Sequence, residues 1–424
     1  MAVMEGQLGM ELFAEESIQD PYPLYARMLD AGPVHAVGDS GFYAVCSRDA
    51  IIEAVSRPED FSSNLTATMT LGPDGTVKPF ELEGLGGETH ALATADGPLH
   101  AAHRKLLLPQ LAARRVRQLE TFINETTHRL WDEYTGESHL EWMSAVANRL
   151  PMMIVGRLIG VPDTDIDRLM EWGYASTQLL EGIVTQPQLE AAGTAVMELS
   201  NYLNDHFIDA AIHPRDTLLG DLATACANGE IGDIPARIIM ITLFSAGGES
   251  TASLIGSAAH ILATQPDVQR ELRAHPDLVG AFLEEVLRYE PPFRGHYRHV
   301  LHDTTLAGVA LPAHSRLLLL WGAANRDPSH FTEPNQFLLG RNATTHLSFG
   351  KGAHFCVGAA LARAEARAVL NTLLTRSSSI QAARVGRWLP SLLVRRLDRL
   401  DLDVTAHHPV RQPQATANTS PRPG

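Results

Sequence analysis

A ten-residue segment near the C-terminal end of the 424-residue chain constrains its fold more than any other feature. The segment runs from Phe349 to Gly358, has glycines at positions 350, 352 and 358, and carries Cys356 just before a stretch with helical periodicity. Glycines let a backbone approach a flat ligand closely. A helix N-terminus stabilises a thiolate through free N–H groups and the helix dipole. We therefore predict a lowered pKa for the Cys356 thiol and a ligand-binding sulfur; the alternative is a buried structural cysteine.

The composition disfavours several classes of protein. Three cysteines (Cys46, Cys226 and Cys356) cannot form a disulfide framework, and they indicate a reducing compartment. A formal net charge of −15 disfavours a nucleic-acid partner or an anionic membrane surface. The first twenty residues contain no Lys or Arg, and no window approaches about 18 uninterrupted apolar residues. We therefore expect a soluble, cytoplasmic protein without a membrane anchor.

The pattern along the chain favours one large helical unit. Helical periodicity dominates from about residue 99 to 290 and returns at 357–375, whereas 298–320 contains short β-like runs. Residues 62–98 are rich in Gly, Thr and Pro and predict a long irregular segment. We expect a single domain over residues 10–404, mainly α with small β-sheets. A flexible N-terminus (1–9) and a disordered tail (405–424) would flank it.

The cysteine segment resembles the haem-binding loop of the cytochrome P450 family, the haem-thiolate monooxygenases, at every fixed position. The resemblance, closest to soluble bacterial members, implies a triangular helical prism with haem b between a distal and a proximal helix. It implies Cys356 as the axial iron ligand, with Phe349, His354 and Gly358 around the cofactor. A thiolate ligand donates electron density to haem iron and favours O–O cleavage. The stretches 58–64 and 295–300 are similar to the mycobacterial group numbered 144.

Three residues resemble the family's structural lock. Glu285 and Arg288 match Glu-x-x-Arg, and their i,i+3 spacing places both on one helix face. Arg341 ends a segment that supplies the second arginine in the family. The resemblance implies a role in folding for these residues; alone, the first pair would be a solvated ion pair worth roughly 0–1 kcal/mol.

Four residues are implied as partners of the haem propionates: His100, Arg104, Arg298 and His354. His100 and Arg104 lie at i and i+4, so both can point at the same anion. Four donors suit two carboxylates, because a buried charge must be paired. We interpret the neighbouring His103 as a surface histidine.

The stretch from Ala246 to Thr251 resembles the distal-helix motif of the family. By resemblance Ala246 contacts the cofactor, and Glu249 with Ser250 relays protons through water; Thr251 is the alternative hydroxyl. Ser250 stands where the family usually has threonine, and serine lacks the χ1 restriction of a β-methyl group. We therefore hypothesise a leakier relay. The acid–alcohol pair favours use of O2 with two electrons over direct use of peroxide.

The resemblance also points to residues that line a substrate pocket. These candidates are Leu65, Met69, Leu180, Ile239, Leu243, Phe293 and Leu393. An apolar pocket is the default for any buried site, so they identify no molecule. Arg294 and His296 precede Arg298 and are unusually polar for this position. Arg294 is a candidate for binding a substrate carboxylate; the alternatives are the propionates or solvent.

The implied function is insertion of one oxygen atom, by hydroxylation or epoxidation, into a small and largely apolar organic substrate. Electrons would come from NAD(P)H through external redox proteins, a ferredoxin and a ferredoxin reductase. Residues 97–119 contain five basic side chains and no acid, which suits an acidic carrier or is an ordinary charged helix face. The rival readings are a haem-thiolate protein without turnover and a zinc site, for which paired ligand spacing is missing.

Overall fold

The computed structural model describes residues 7–82, 89–134, 138–183 and 185–406. Most of the described chain is helical. Its α-helices are α1 (Glu15–Gln19), α2 (Tyr22–Ala31), α3 (Arg48–Ser56), α4 (Gly97–Leu111), α5 (Ala113–Tyr134), α6 (Arg149–Ile159), α7 (Ile166–Thr177), α8 (Gln186–Ile212), α9 (Leu218–Ala227), α10 (Asp233–Thr264), α11 (Pro266–Ala274), α12 (Val279–Tyr289), α13 (Trp321–Ala324) and α14 (Ala359–Arg376).

The strands form one larger and three small sheets. They are β1 (Val34–Ala36), β2 (Phe42–Val45), β3 (Phe61–Ser62), β4 (Ala67–Leu71), β5 (Val77–Glu81), β6 (His139–Glu141), β7 (Gly295–Val300), β8 (Thr304–Leu306), β9 (Val309–Leu311), β10 (Arg316–Leu320), β11 (Ser377–Val385) and β12 (Leu400–Ala406). The five-stranded sheet has the order β1-β2-β10-β7-β3, and the three-stranded sheet has the order β11-β12-β6. Two hairpins, β4-β5 and β8-β9, complete the set.

Helix α10 forms the centre of the molecule. It packs against α6, α7, α8 and α14, and most of its side chains from Gly248 to Ala263 are buried. A helix that is apolar on every side needs such burial. Among the described residues, α10 alone is long and apolar enough to cross a membrane, but 56% of its most apolar window is buried inside the protein, as in a core helix.

Capping residues, glycine and proline determine where several helices begin and end. Ser47 caps α3 by accepting a hydrogen bond from the Ala50 N–H. Gly160 ends α6 in the left-handed region (φ 103°), where a glycine has no steric penalty. Val161 and Pro162 follow and prevent the helix from continuing. Helices α6 and α10 contribute Val155 and Thr251 to one cavity.

The structure differs from the sequence-based expectations at three segments. Residues 62–98 include the β4-β5 hairpin, whose buried Met69 and Val77 anchor it to an apolar cluster, so this segment is not irregular throughout. Residues 7–10 are helical, although the flexible N-terminus was predicted to reach residue 9. Residues 405 and 406 belong to β12 rather than to the tail. Residues 1–6 and 407–424 lie outside the described ranges.

Candidate active site

A cavity that is open to solvent, with a volume of about 260 Å³, is lined by both α10 and the cysteine segment. Twelve of the predicted site residues line it: His100, Arg104, Leu243, Ala246, Ser250, Thr251, Phe293, Arg298, Phe349, His354, Cys356 and Gly358. They come from α4, α10 and β7 and from the loops that precede β7 and α14. Sequence segments separated by up to about 250 residues therefore converge on one space, as the resemblance implies.

The cysteine segment is a tight turn that ends at α14. Gly350 and Gly352 have φ values of 69° and 73°, where other residues are strained. The Cys356 N–H donates to the Phe349 carbonyl at 2.8 Å, which closes the turn. A Cβ added at Gly358 would lie 3.9 Å from the Cys356 sulfur, so the glycine leaves one side of the sulfur open.

The acidity of Cys356 differs from the prediction. Burial raises the pKa of this thiol, although the backbone N–H groups of Gly358 and Ala359 and the guanidinium groups of Arg104 and Arg363 oppose the rise. The predicted lowering is wrong, because loss of hydration outweighs the stabilisation by the N–H groups at this helix start. A thiolate here therefore needs a cation at the sulfur, a need that an iron ion satisfies.

One edge of the cavity carries four basic side chains. The His100 and His354 rings stack with centroids 3.9 Å apart. Burial, together with His354 and Arg104, lowers the pKa of His100 to about 4. The Arg104 guanidinium donates to the Phe355 carbonyl at 2.6 Å, and that of Arg298 donates to a backbone carbonyl at 2.7 Å. The same edge is thus rich in donors that face a cavity.

Three of these four donors, His100, Arg104 and Arg298, have no carboxylate partner within the described ranges. Arg104 and Arg298 make no ion pair there, and burial lowers the pKa of Arg298 to about 10 while Asp96 opposes the change. Only His354 approaches an acid, with its Nε2 3.8 Å from Asp96 Oδ1. A buried cation that lacks a counter-ion is costly. A flat ligand with two carboxylates and a metal facing Cys356 satisfies the donors and the sulfur together, so the residues fit haem.

The wall formed by α10 carries the predicted hydroxyl groups. Ser250 Oγ donates to the Ala246 carbonyl at 2.6 Å, and both Ser250 and Thr251 line the cavity. Gly247 also lines it, and a Cβ there would lie 2.9 Å from a methyl group of Val155. The glycine therefore lets α6 approach α10 closely at the level of the hydroxyl groups.

Glu249 lies beside the cavity rather than in its wall. Its side chain is 1% exposed, Oε1 accepts a hydrogen bond from Arg396 Nε at 3.2 Å, and Arg396 Nη2 lies 3.1 Å from the same oxygen in an ion pair. Its second oxygen, Oε2, is buried and has no hydrogen-bond partner among the described residues. Arg396 also donates to Asn148 Oδ1 at 3.3 Å. This partner of the acid was not predicted; the position of Arg396 directly after the apolar run 392–394 is the one signal for it in the sequence.

The structural lock assembles as the resemblance implies. Arg288 and Glu285 are fully buried and form two hydrogen bonds of 2.7 and 2.8 Å, and Arg341 Nε reaches Glu285 Oε1 at 3.1 Å. Arg288 also donates to the carbonyls of Asn325 and Pro334. The three residues hold the loop that precedes the cysteine segment and make no contact with the cavity.

The pocket predictions divide into two groups. Leu243 and Phe293 line the cavity, whereas Leu65, Met69, Leu180, Ile239 and Leu393 do not. Ile239 faces the core around α10, and Met69 packs into the cluster below the β4-β5 hairpin.

Arg294 is not a pocket residue, which corrects the expectation that it meets a substrate carboxylate. It is 3% exposed and donates to the backbone carbonyls of Ser17 and Ile18. Burial and the neighbouring Arg395 lower its pKa to about 10. Its guanidinium group therefore fixes the N-terminal segment.

Sequence reasoning missed three further residues near the cavity. His103 is buried, and its Nδ1 accepts a hydrogen bond from the Leu92 N–H at 3.2 Å, so it is not a surface histidine. Glu365 lines the cavity from α14, and burial raises its pKa well above the ordinary value. Trp321 lines it as well and bonds to His296. The sequence marks Glu365 only by its place nine residues after Cys356.

The fold and this cavity define a haem-thiolate protein. The model of the family "Cytochrome P450" matches residues 206–380. "Cytochrome P450 144" of Mycobacterium tuberculosis is 63% identical over 393 residues, which cover 92% of this chain and 91% of the relative. The solved structure of cytochrome P450 CYP109Q5 from Chondromyces apiculatus has a TM-score of 0.81 at 30% identity and covers 93% of this chain and 98% of its own.

A second solved structure, P450BioI in complex with hexadec-9Z-enoic acid ligated acyl carrier protein, has a TM-score of 0.82 at 27% identity. The match covers 92% of this chain and 100% of that one. The chain belongs to the cytochrome P450 family, and its high identity to the M. tuberculosis protein confirms the predicted similarity to group 144. It is therefore a monooxygenase that uses haem and O2 and needs a substrate and redox partners. The zinc alternative has no support, since no group of three or more metal-ligating His, Cys, Asp or Glu occurs in the described ranges.

Proposed function

We propose that this cytochrome P450 binds haem b through Cys356 and inserts one oxygen atom from O2 into a small, largely apolar organic substrate, by hydroxylation or epoxidation. One observation carries the proposal: Cys356, Ser250 and Thr251 line the same cavity. When bound there, haem would supply reductive activation of O2. The remaining chemistry belongs to the side chains of this chain.

The apolar character of the substrate follows from the walls. Val155, Leu158, Leu243, Leu254 and Phe293 line the cavity, and such walls favour molecules that gain by leaving water. The polar groups that could orient a substrate are concentrated at the edge that carries the basic residues. A substrate with a large apolar body and few polar groups fits this distribution.

The proton supply is proposed to use Glu249 and Ser250. The hydrogen of Ser250 Oγ is engaged by the Ala246 carbonyl, so its lone pairs stay available to accept a hydrogen bond from water in the cavity. Glu249 Oε1 is held by Arg396, while Oε2 has no partner among the described residues. In the proposed relay Glu249 Oε2 takes up a proton that water carries in from solvent and passes it through a second water toward the cavity, which restores the carboxylate paired with Arg396.

Electrons are proposed to arrive from NAD(P)H through a ferredoxin reductase and a ferredoxin, in the cytoplasm. Lys105, Arg114, Lys351 and Arg367 are exposed, and Lys105 follows the Arg104 that bonds to the Phe355 carbonyl beside the cysteine. An exposed positive surface near the thiolate suits an acidic carrier. Arg115 is less suitable, since it pairs with Asp216 at 3.1 Å.

The test is turnover of the Ser250→Ala variant with a surrogate ferredoxin system and 18O-labelled O2. Loss of the hydroxyl should lower labelled product per NADPH consumed and raise hydrogen peroxide release by severalfold, because proton delivery is worth about 10²–10⁴-fold when intact and water replaces part of it. Ser257→Ala, on the same helix but outside the cavity wall, is the matched control.

Two outcomes would contradict the proposal. An unchanged ratio of product to peroxide would remove Ser250 from the relay and leave Thr251 or ordered water. Absence of labelled product from the parent protein across a broad substrate panel would favour a haem-thiolate protein without turnover.

A further inference from the structure

His296 presents a nitrogen of defined protonation to the cavity. The residue lies in β7 and lines the cavity together with Trp321, the first residue of α13. Trp321 Nε1 donates a hydrogen bond to His296 Nδ1 at 2.6 Å. An indole N–H can only donate, so Nδ1 must carry the lone pair. The neutral imidazole then carries its hydrogen on Nε2.

The surroundings of His296 keep this ring neutral. Burial, together with the positive charges of Arg298 and His354, lowers its pKa to about 4. The centroids of the Phe293 and Trp321 rings lie 5.0 and 5.9 Å from that of the imidazole, so two aromatic side chains pack beside the ring. Protonation would also require Nδ1 to give up the hydrogen bond from Trp321. Near neutral pH the ring is therefore a fixed donor, with little freedom to turn or titrate.

The Nε2–H group has no acceptor among the described residues, although its partner Nδ1 is satisfied. A donor at a buried site is normally paired, because leaving it without a partner costs the desolvation of that group. His296 is only partly buried, and it is one of the residues that line the cavity. The missing acceptor is therefore expected in the molecule that fills the cavity.

We propose that His296 Nε2–H is a hydrogen-bond donor for an acceptor oxygen of a molecule bound in the cavity, and that Trp321 is the positioning residue that fixes the donor tautomer. The inference rests on the function proposed above. The acceptor is a carboxylate or carbonyl oxygen, and it has two sources: a carboxylate of the haem, near Arg298 and His354, or the polar end of the substrate beside Phe293. Both acceptors require the same donor, the His296 Nε2–H group. They differ in the property of the protein that changes when this donor is removed.

The experiment compares the haem-loaded parent protein with His296→Phe, Trp321→Phe and the double variant. In the first arm, resonance Raman spectra of the substrate-free protein report the propionate bending bands, and a redox titration reports the midpoint potential. In the second arm, optical titrations compare fluorenone with fluorene, two probes of nearly the same shape of which only the first has an acceptor oxygen. His299→Phe is the matched control, because it lies on the same strand and does not line the cavity.

A haem source predicts a shifted propionate band and midpoint potential in His296→Phe, with no change in the preference between probes. A substrate source predicts unchanged bands and a loss of about three- to tenfold in the preference for fluorenone, the range expected for one hydrogen bond. In either case Trp321→Phe should give a smaller effect in the same direction, and it should add little to His296→Phe, since the two act as one unit.

No difference between the parent protein and His296→Phe in either arm would overturn the proposal. So would an equal effect of Trp321→Phe in the presence and absence of His296, because the indole would then act independently. Failure of the proposed function looks different: the parent protein itself would lack the thiolate-type spectrum of its carbon monoxide complex, with no dependence on His296.

Discussion

A buried acid outside the cavity offers a quantitative test of the electrostatics around Glu249. Glu181 lies in the loop between α7 and α8 and is 6% exposed. Burial raises its pKa from an ordinary value of 4.5 to about 8; Glu249 adds to the rise and Arg396 opposes it. The perturbation is Glu181→Gln, which keeps the shape of the neutral acid and removes its titration.

The sign follows from proton linkage. The folded protein holds the Glu181 proton up to about pH 8, whereas the unfolded chain loses it near 4.5. The contribution of Glu181 to stability is therefore fully present below pH 4.5 and is lost as pH rises toward 8. One pKa unit corresponds to 1.36 kcal/mol. Between pH 5.5 and 8.5 the parent protein should thus lose about 3 kcal/mol relative to the glutamine variant.

The assay is the midpoint of thermal unfolding of the haem-loaded proteins at pH 5.5 and 8.5. At about 2 cal/mol/K per residue, an unfolding entropy near 0.9 kcal/mol/K is expected for this chain, so the difference between variant and parent should grow by about 3–4 °C. Glu171→Gln, an exposed acid on the adjacent α7, is the control and should show no such growth. If the unfolding temperatures of Glu181→Gln and the parent protein differ by the same amount at both pH values, the pKa of Glu181 is not raised in the folded protein.

Two further predictions concern the exposed positive surface and the structural lock. The double variant Lys105→Glu with Lys351→Glu should be reduced more slowly by ferredoxin, and the difference in rate from the parent protein should shrink at high salt. The control Arg270→Glu should be reduced at the parent rate. Equal rates of the double variant and the parent protein in stopped-flow measurements would contradict a docking role. Glu285→Gln leaves the fully buried Arg288 without its carboxylate and should cost about 3–5 kcal/mol in urea unfolding; a loss below 1 kcal/mol would show that the backbone carbonyls around Arg288 suffice.

Features carried by short motifs could be predicted from the sequence. The turn around Cys356, the lock between Glu285 and Arg288 and the wall around Ser250 each lie within a short motif that resembles one of the family, and the resemblance implied their places. The basic edge could also be predicted, because each of its residues belongs to a motif that resembles one of the family. The cofactor cavity was therefore predictable in most of its parts.

Features that depend on distant partners were not predictable. Arg294 turns from the cavity because the carbonyls of Ser17 and Ile18, about 277 residues away in sequence, accept its hydrogen bonds. Arg396 reaches Glu249 across 147 residues. The thiol pKa of Cys356 rises because burial, a property of the assembled fold, outweighs the local helix start. The periodicity of a sequence carries no information on such contacts between residues that are far apart along the chain.

We propose that Cys356 ligates haem iron as a thiolate. The absorption spectrum of the reduced carbon monoxide complex tests it most directly, because a thiolate ligand moves the main band to the long wavelength that gives the family its name. The parent protein and a Cys226→Ser control should show this band, and Cys356→His should show the shorter-wavelength band of histidine-ligated haem. Absence of the long-wavelength band from the parent protein, or its persistence in Cys356→His, would contradict the account.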